Sequence, residues 1–505
     1  MATDVCVVGG GLAGMAAALR LLERGCRVTL FEASERLGGK AGATQVGGLP
    51  EEHGYHIFPV WYRNTWRLVD DLGIRSHFKD CTDFEQLRPG EYPRFRTLRN
   101  ITSLRYAVGN LFSGVLSVPE MFLFYYAALD LLCEPLSDSA LLDQISITGF
   151  VRSRFYRTEG VAAQFQDLML KGISVPAHFV SAKTMQSVIA YWVKYPEPAS
   201  RVLRGDLQSQ FIAPFARRLE ALGCEIRLHH RLERLEVQDA RITRLHFRTT
   251  ADAGAGAPVS RDAERVVLAL PAERLAPLVD DGVYAAAPSL ANARYVHARP
   301  MAALSLYLRR RLPGLPGDHI NLLGSRFGLS FVDVSRLWPG HDATVLNVIA
   351  SDYPALEGLS DAVAAAEIVA ELRRYLPALQ PADVIPERTF FQAHVEEPLF
   401  MNEVGVWHYR LQALSARQGQ HDPEHKIELT NLYPAGDHCR TAIDLVCMEG
   451  AISSGLLAAE ALREDAGLGE AVEVLRPERP RTALLLAAKY LLLPLALLAR
   501  LVARA

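Results

Sequence analysis

An α/β fold organised around a parallel sheet is predicted by three features of the sequence. A strand-like apolar run passes directly into G-x-G-x-x-G, a second strand ends in a carboxylate, and a turn followed by a small-residue helix lies near the other end of the chain. At 505 residues, 50% of them hydrophobic, the chain is large enough for two or more domains. Its 54 Lys and Arg against 57 Asp and Glu give a formal charge of -3, so a nucleic-acid role is not expected. The seven cysteines form no C-x-x-C pair and no Cys/His cluster at metal spacing, which predicts reduced thiols and no metal site. Val5 to Val8 lack a basic leader and run straight into glycines, so a cytoplasmic location is expected.

Asp4, Val5, Cys6, Val7 and Val8 make the short β-branched run of a strand buried on both faces. Gly9, Gly10, Gly11, Leu12, Ala13 and Gly14 follow at once. A helix is expected over residues 15–24, with Ala16, Ala17, Leu19 and Leu22 at helical spacing, and Gly25 can end it. Residues 27–32 read as the second strand, closing on Glu32. In such a unit Gly9 permits the tight turn, Gly11 lets the backbone approach a pyrophosphate, and Gly14 lets helix and strand pack closely. The helix start offers free N–H groups to the phosphates, and Glu32 is placed to accept ribose hydroxyls. This is a Rossmann-type dinucleotide site; NAD and FAD both use it.

The following residues, Glu32-Ala33-Ser34-Glu35-Arg36-Leu37-Gly38-Gly39-Lys40, add a second glycine pair and basic side chains just beyond the ribose acid. This E-x-x-x-R-x-G-G-K run resembles FAD enzymes of the amine oxidase and phytoene desaturase superfamily. Near the other end, residues 427–437 read as a strand turning at Asp437, and residues 448–462 as a helix whose start suits the charge of a reduced flavin. A-G-D followed by M-E-G-A-x-x-S-G resembles the superfamily's C-terminal flavin motif. Between them, a helix over 215–222 and strands within 224–228, 232–247 and 265–271 are expected, with a hairpin loop at 251–260. The resemblance implies a glutathione-reductase-like (Rossmann-type) FAD-binding domain, with an inserted mixed α+β substrate domain. The cofactor contacts it implies are Gly9, Gly11, Leu12, Ala13, Gly14, Glu32, Ala33, Arg36, Gly38, Gly39, Lys40, Leu232, Asp437, Met448, Glu449 and Ala451. Residues 1–85, 200–285 and 425–470 would form the FAD domain, 86–199 and 286–424 the substrate domain, and 471–505 a basic, apolar tail.

Residues 51–64 narrow the resemblance. Gly54, His56, Phe58, Tyr62 and Asn64 fall on a G-x-H-x-F, Y-x-N pattern similar to that of carotene and phytoene desaturases and hydroxysqualene dehydroxylases. Pro59-Val60-Trp61 departs from the glycine-containing stretch of that pattern, and Cys439 and residues 442–447 depart from the usual spacer before M-E-G. What the resemblance implies is dehydrogenation of a long hydrophobic isoprenoid or carotenoid by hydride transfer to flavin N5, with quinone or oxygen as later acceptor. Such chemistry needs a positioned C–H bond and a dry cavity rather than a nucleophile. The insertions offer Phe122, Phe124, Tyr125, Tyr126, Phe155, Tyr156, Phe165, Tyr191, Trp192 and Trp407 for its walls. His56 is the candidate catalytic group, as a proton handler, or else a histidine that ties down a turn. A hydroxysqualene-type dehydroxylase, an amine oxidase using Lys171 beside the flavin, and a non-catalytic FAD-containing lipid-binding protein stay open.

Residues 483–499 are apolar except for Lys489, contain Pro494, and are flanked by Arg476, Arg479, Arg481, Arg500 and Arg504. As a helix this stretch would reach ~25 Å, short of the roughly 30 Å hydrocarbon core, so a helix lying on the membrane surface is expected. Packing on the body, or on a partner in a homo-oligomer, is the alternative. The apolar stretch 111–132 could join the tail around a hydrophobic entrance.

Overall fold

The computed structural model describes residues 2–503 apart from 82, 102, 135–138, 196, 197, 199, 251–255, 318, 397, 401, 423–425 and 444. Residues 251–255 of the expected hairpin loop, and Arg504, lie outside the described residues. The elements that place the site run in the order β1 (Asp4–Val8), α1 (Leu12–Leu22), β2 (Arg27–Phe31), α2 (Arg63–Asp71), α3 (Val118–Cys133), α4 (Glu159–Ile173) and α5 (Ala182–Lys194). They continue with β3 (Glu225–Arg227), β4 (Arg265–Leu268), β5 (Leu432–Pro434), α6 (Met448–Asp465) and α7 (Thr482–Val502).

Four of the five residues of β1 are buried, because sheet covers both of its edges and other elements cover both faces. The five strands pair in the order β3-β2-β1-β4-β5, every pair parallel, which is the Rossmann-type arrangement expected. On one face α1 packs against α6. Their contact is close because α6 presents a glycine there: a Cβ on Gly455 would stand 2.1 Å from the Ala13 carbonyl oxygen. On the other face lies the antiparallel sheet of His230–Gln238, Arg241–Thr249 and Pro258–Asp262, with Phe31 stacked on Phe247 at 4.3 Å.

Two expectations change here. Pro258–Asp262 is a strand, so the end of the expected loop at 251–260 belongs to the sheet: Pro258, Val259 and Ser260 pair with Arg248, Phe247 and His246. The expected strand over 427–437 shrinks to Leu432–Pro434, because Asn431 is turned aside to hydrogen-bond both the N–H and the carbonyl of Ile242.

The inserted sequence builds a seven-stranded sheet in the order Phe390–Ala393, Ala302–Tyr307, Val345–Ala350, Leu329–Asp333, His319–Leu322, Asp83–Leu87 and Arg96–Arg99. One boundary expected at residue 85 falls within the strand Asp83–Leu87, which pairs with His319–Leu322. The helix Asp361–Tyr375 closes the core on one side of this sheet, while α3, α4 and α5 form a separate helical layer with its own apolar core.

The tail helix differs from expectation in length. α7 has 21 residues, about 31 Å at 1.5 Å per residue, and its mean hydropathy of 2.0 makes it long and apolar enough to cross a membrane by length and composition. It packs along α3 through Leu492, Leu493 and Ala496, and Lys489 Nζ lies 2.6 Å from the buried Asp130 carboxylate.

The α1–α6 contact is the tightest test of this packing. We expect Gly455→Ala to lower unfolding stability by roughly 1–3 kcal/mol in urea, since the added methyl meets backbone rather than a movable side chain. An unchanged midpoint would mean that the two helices are not held this close.

Candidate active site

A single cavity of about 1330 Å³ runs from the carboxyl end of the parallel sheet into the helical layer. Its polar end is made by the loop between β1 and α1, by the segment after β2, and by the turn after β5. Gly9, Gly11, Leu12, Ala13, Glu32, Ala33, Gly38, Gly39, Lys40, Leu232, Asp437, Met448, Ala451 and His56 all stand on its wall. The wall fits an extended dinucleotide. Gly11 and Gly39 face each other so closely that a Cβ on Gly39 would lie 3.1 Å from the Gly11 Cα, leaving bare backbone along the groove. The start of α1 opens onto the groove with no side-chain cap, so its N–H groups are available to a phosphate.

The side chains around this groove are fixed by local bonds. Glu32 accepts the Gly10 N–H at 2.7 Å and the Ser34 N–H at 2.8 Å, which aims its carboxylate across the β1–α1 loop. Lys40 Nζ sits 2.6 Å from Glu273. Asp437 is partly buried, and desolvation of its carboxyl raises its pKa. At the start of α6 the Cys447 Sγ accepts the Gly450 N–H at 3.3 Å, and burial pushes the thiol up to about 12.

Three of the residues implied as cofactor contacts are not on the wall. Gly14 lies behind the loop, where it allows α1 to approach Gly9. Arg36 donates to Thr44 Oγ1 at 2.7 Å and is held away from the groove by that bond. Glu449 points back into the protein. Its Oε1 accepts from the Asn64 N–H (2.9 Å) and Nδ2 (2.8 Å), and its Oε2 from the Thr65 N–H (2.8 Å) and Oγ1 (2.7 Å). Burial raises this carboxyl to about 7, against those four hydrogen bonds that pull it down. Glu449 therefore clamps the start of α2 to the start of α6. Asn64 of the Y-x-N pattern serves the same clamp, and Phe58 is core, whereas Gly54 and Tyr62 line the cavity.

His56 does not stand alone. His53 and His394 face each other with ring centroids 4.4 Å apart on the same wall, and His56 Nδ1 is 3.8 Å from Glu52. Burial pulls the pKa of His53 down to about 3 and that of His394 to about 4, so both are neutral imidazoles near pH 7. Sequence reasoning missed both. The H-G-Y-H spacing holds a signal for His53, but His394 follows a strand of the inserted sheet and nothing in its neighbourhood marks it.

Beyond the histidines the cavity turns apolar. Phe124, Tyr125, Ala128, Leu129 and Leu132 of α3 line it, as do Ile189, Trp192 and Val193 of α5 and Leu485 of α7. Of the ten aromatic residues expected as walls, Phe124, Tyr125 and Trp192 have this position. Tyr126, Tyr156, Phe165 and Tyr191 are buried in the surrounding core, and Phe155 is exposed. Trp407 lies beneath cations instead, with Lys183 Nζ 3.0 Å from its ring centroid. Trp61, in the stretch that departs from the desaturase pattern, is on the wall against Tyr191. Lys171 is also on the wall, but its Nζ is bound by Asp167 (3.1 Å) and the Leu322 carbonyl (2.8 Å) rather than offered beside the flavin loops. Among the described residues no cluster of His, Cys, Asp or Glu is suited to a metal.

A Rossmann-type groove opening into an apolar cavity defines a dinucleotide-binding protein, and the family match makes it a flavin-dependent oxidoreductase. The family profile described as flavin containing amine oxidoreductase matches residues 12–463, and the chain belongs to that family. FAD is its cofactor. The chain is 29% identical over 265 residues to the carotenoid phi-ring synthase of Chlorobaculum tepidum, covering 47% of this chain and 38% of that protein. It is 23% identical over 482 residues to the 15-cis-phytoene desaturase of Capsicum annuum, covering 92% of this chain and 78% of that one. Among solved structures, cyclohexylamine oxidase from Brevibacterium oxydans superposes with a TM-score of 0.63 at 16% identity, covering 92% and 100% of the two chains. An oxidoreductase from Methanosarcina mazei gives 0.65 at 13%, with the same coverage. These structures share the fold.

The Glu449 clamp can be tested directly. Glu449→Gln turns an amide NH2 toward backbone N–H donors, so we expect a loss of roughly 1–3 kcal/mol in stability and weaker retention of FAD on gel filtration. A variant as stable and as yellow as the parent would show that the clamp does not hold the site.

Proposed function

We propose that this protein dehydrogenates a long, hydrophobic isoprenoid or carotenoid drawn from a membrane. The observation that carries this reading is the continuity of the cavity. One space joins the dinucleotide groove to a limb walled by Phe124, Leu129, Leu132, Trp192 and Val193, and that limb reaches the exposed apolar helices. A bound FAD would supply an acceptor for the hydride of a C–H bond.

The chain's own residues do the rest. Gly11, Gly39 and the start of α1 would hold the phosphates of FAD, and Asp437 and Glu32 would accept its hydroxyls. The apolar limb aligns an extended chain and excludes water, which favours a hydride transfer whose charge would otherwise be quenched. His56, with the neutral His53 and His394 beside it, would accept a proton at an imidazole nitrogen. Relatives support this substrate class: proteins named as a phytoene desaturase and a carotenoid phi-ring synthase match the chain. Quinone or oxygen would accept the electrons afterwards.

Membrane association rests on the outer face of α7. Leu484, Tyr490, Leu491, Leu495, Leu498 and Leu501 are exposed, as are Leu104 at the start of the helix Leu104–Leu111, which also packs against α3, and Phe112 just after its end. The Lys489–Asp130 pair and the seating of Ala496 hold the inner face of α7 on the body, which favours a helix lying in the interface over one that leaves the protein. Arg476, Arg479, Arg481 and Arg500 suit anionic headgroups.

The test is anaerobic. Vesicles of anionic lipid carrying phytoene or ζ-carotene should bleach the flavin bands of the full chain and yield the desaturated lipid by mass spectrometry. A Leu491→Ser, Leu495→Ser, Leu498→Ser variant should bleach at least about tenfold more slowly with vesicles than with detergent-dissolved substrate, given the apolar area it removes. Flavin that stays oxidised with every polyene, while a primary amine bleaches it, would overturn the reading in favour of an amine oxidase.

A further inference from the structure

The floor of the apolar limb is polar. His319 and Asn321 alternate on one face of their strand, and the parallel register sets them beside Phe84 and Gln86 of the neighbouring strand, all four on the cavity wall. Tyr55 and Lys171 complete the group. Tyr55 Oη donates to Ser330 Oγ at 2.7 Å and also contacts His319 Nε2. Lys171 Nζ uses two of its three protons, on Asp167 and the Leu322 carbonyl.

These groups are built in rather than scattered on a surface. Gln86 is 4% and His319 5% exposed. Among the described residues, His319 Nδ1 and Asn321 Oδ1 have no hydrogen-bond partner, and the Gln86 amide nitrogen has only a 3.4 Å bond, to the Phe84 carbonyl. A buried polar group without a partner is costly, so a cavity meant only for a hydrocarbon gains nothing from this wall. Burial and the Lys171 cation hold His319 neutral, with its pKa near 3, so one ring nitrogen and the Asn321 Oδ1 can accept while Gln86 and Lys171 can donate. The floor therefore matches a neutral group that both donates and accepts.

Its distance from the redox end is fixed by the sheet. Ile349, against which Gly54 packs on the cavity wall near the histidines, lies on the strand Val345–Ala350, two strands from His319–Leu322. At ~4.8 Å per strand the floor is about 10 Å further along.

We propose that this floor binds an oxygen function of the substrate, a hydroxyl or carbonyl about 10 Å from the reacting carbon, so the preferred substrate is an oxygenated isoprenoid rather than a plain hydrocarbon. The inference rests on the isoprenoid reading above and narrows it. The hydroxyl is a handle and is not itself transformed at the floor.

The test uses the FAD-loaded full chain in detergent and two acyclic carotenes of equal length, one hydrocarbon and one with a terminal hydroxyl, titrated against the flavin spectrum. We expect the alcohol to bind at least about tenfold more tightly, one good hydrogen bond's worth. Gln86→Leu and Asn321→Leu, made separately, should each cut that preference to under about threefold. Equal affinity of the parent for the two lipids overturns the proposal without any variant, and so does a preference that survives both substitutions. If neither lipid perturbs the flavin while FAD is bound, the isoprenoid reading itself fails, and this inference with it.

Discussion

The site depends on how closely backbones can approach one another at the top of the parallel sheet. Gly14 lets α1 start against Gly9, and Gly455 lets α6 lie on Ala13, so the first and the last segments of the flavin domain meet without intervening side chains. That contact brings the start of α6, with Met448 and Ala451, to the same groove as the β1–α1 loop. Glu449 then fastens the arrangement from behind, joining Asn64 and Thr65 to α6 through four hydrogen bonds in a fully buried setting. Close packing and one satisfied carboxylate do what a disulfide or metal does in smaller proteins.

From this anchor the chemistry divides along the length of one cavity. The groove end is bare backbone, acids and histidines, suited to a charged cofactor and to proton transfer. The far limb is apolar, as hydride chemistry on an unactivated carbon chain requires, and it opens toward helices whose outer faces are also apolar. The polar floor of Gln86, His319 and Asn321, two strands from Ile349, breaks that pattern.

Much of the flavin domain was legible in the sequence because its signals are local. Buried parallel strands are short apolar runs, and glycines, acids and small-residue helices follow them at fixed intervals, so β1, α1, β2 and α6 were found to within a few residues. The strand Pro258–Asp262 was hidden because it is exposed and polar, and Leu432–Pro434 was overextended because the apolar run before it is pinned by Asn431 to the neighbouring hairpin. The seven-stranded sheet was unreadable for another reason: its strands come from widely separated segments, and pairing such as that of Asp83–Leu87 with His319–Leu322 leaves no mark on either stretch. Glu449 looked like a cofactor contact because it lies in a flavin motif, while its buried partners Asn64 and Thr65 are nearly 400 residues away in the chain. The tail helix was read short because Thr482 and the residues after Ala499 carry it a full turn beyond the apolar core of the stretch.

If one apolar passage connects the surface to the flavin, blocking it will cut off polyene while leaving the flavin intact. Ala128 lies on the wall of that passage, remote from the dinucleotide groove. In Ala128→Trp the account predicts that dithionite still reduces the bound flavin at the parental rate, whereas polyene no longer bleaches it. Polyene reduction that persists at the parental rate, with the indole in place, would contradict the account.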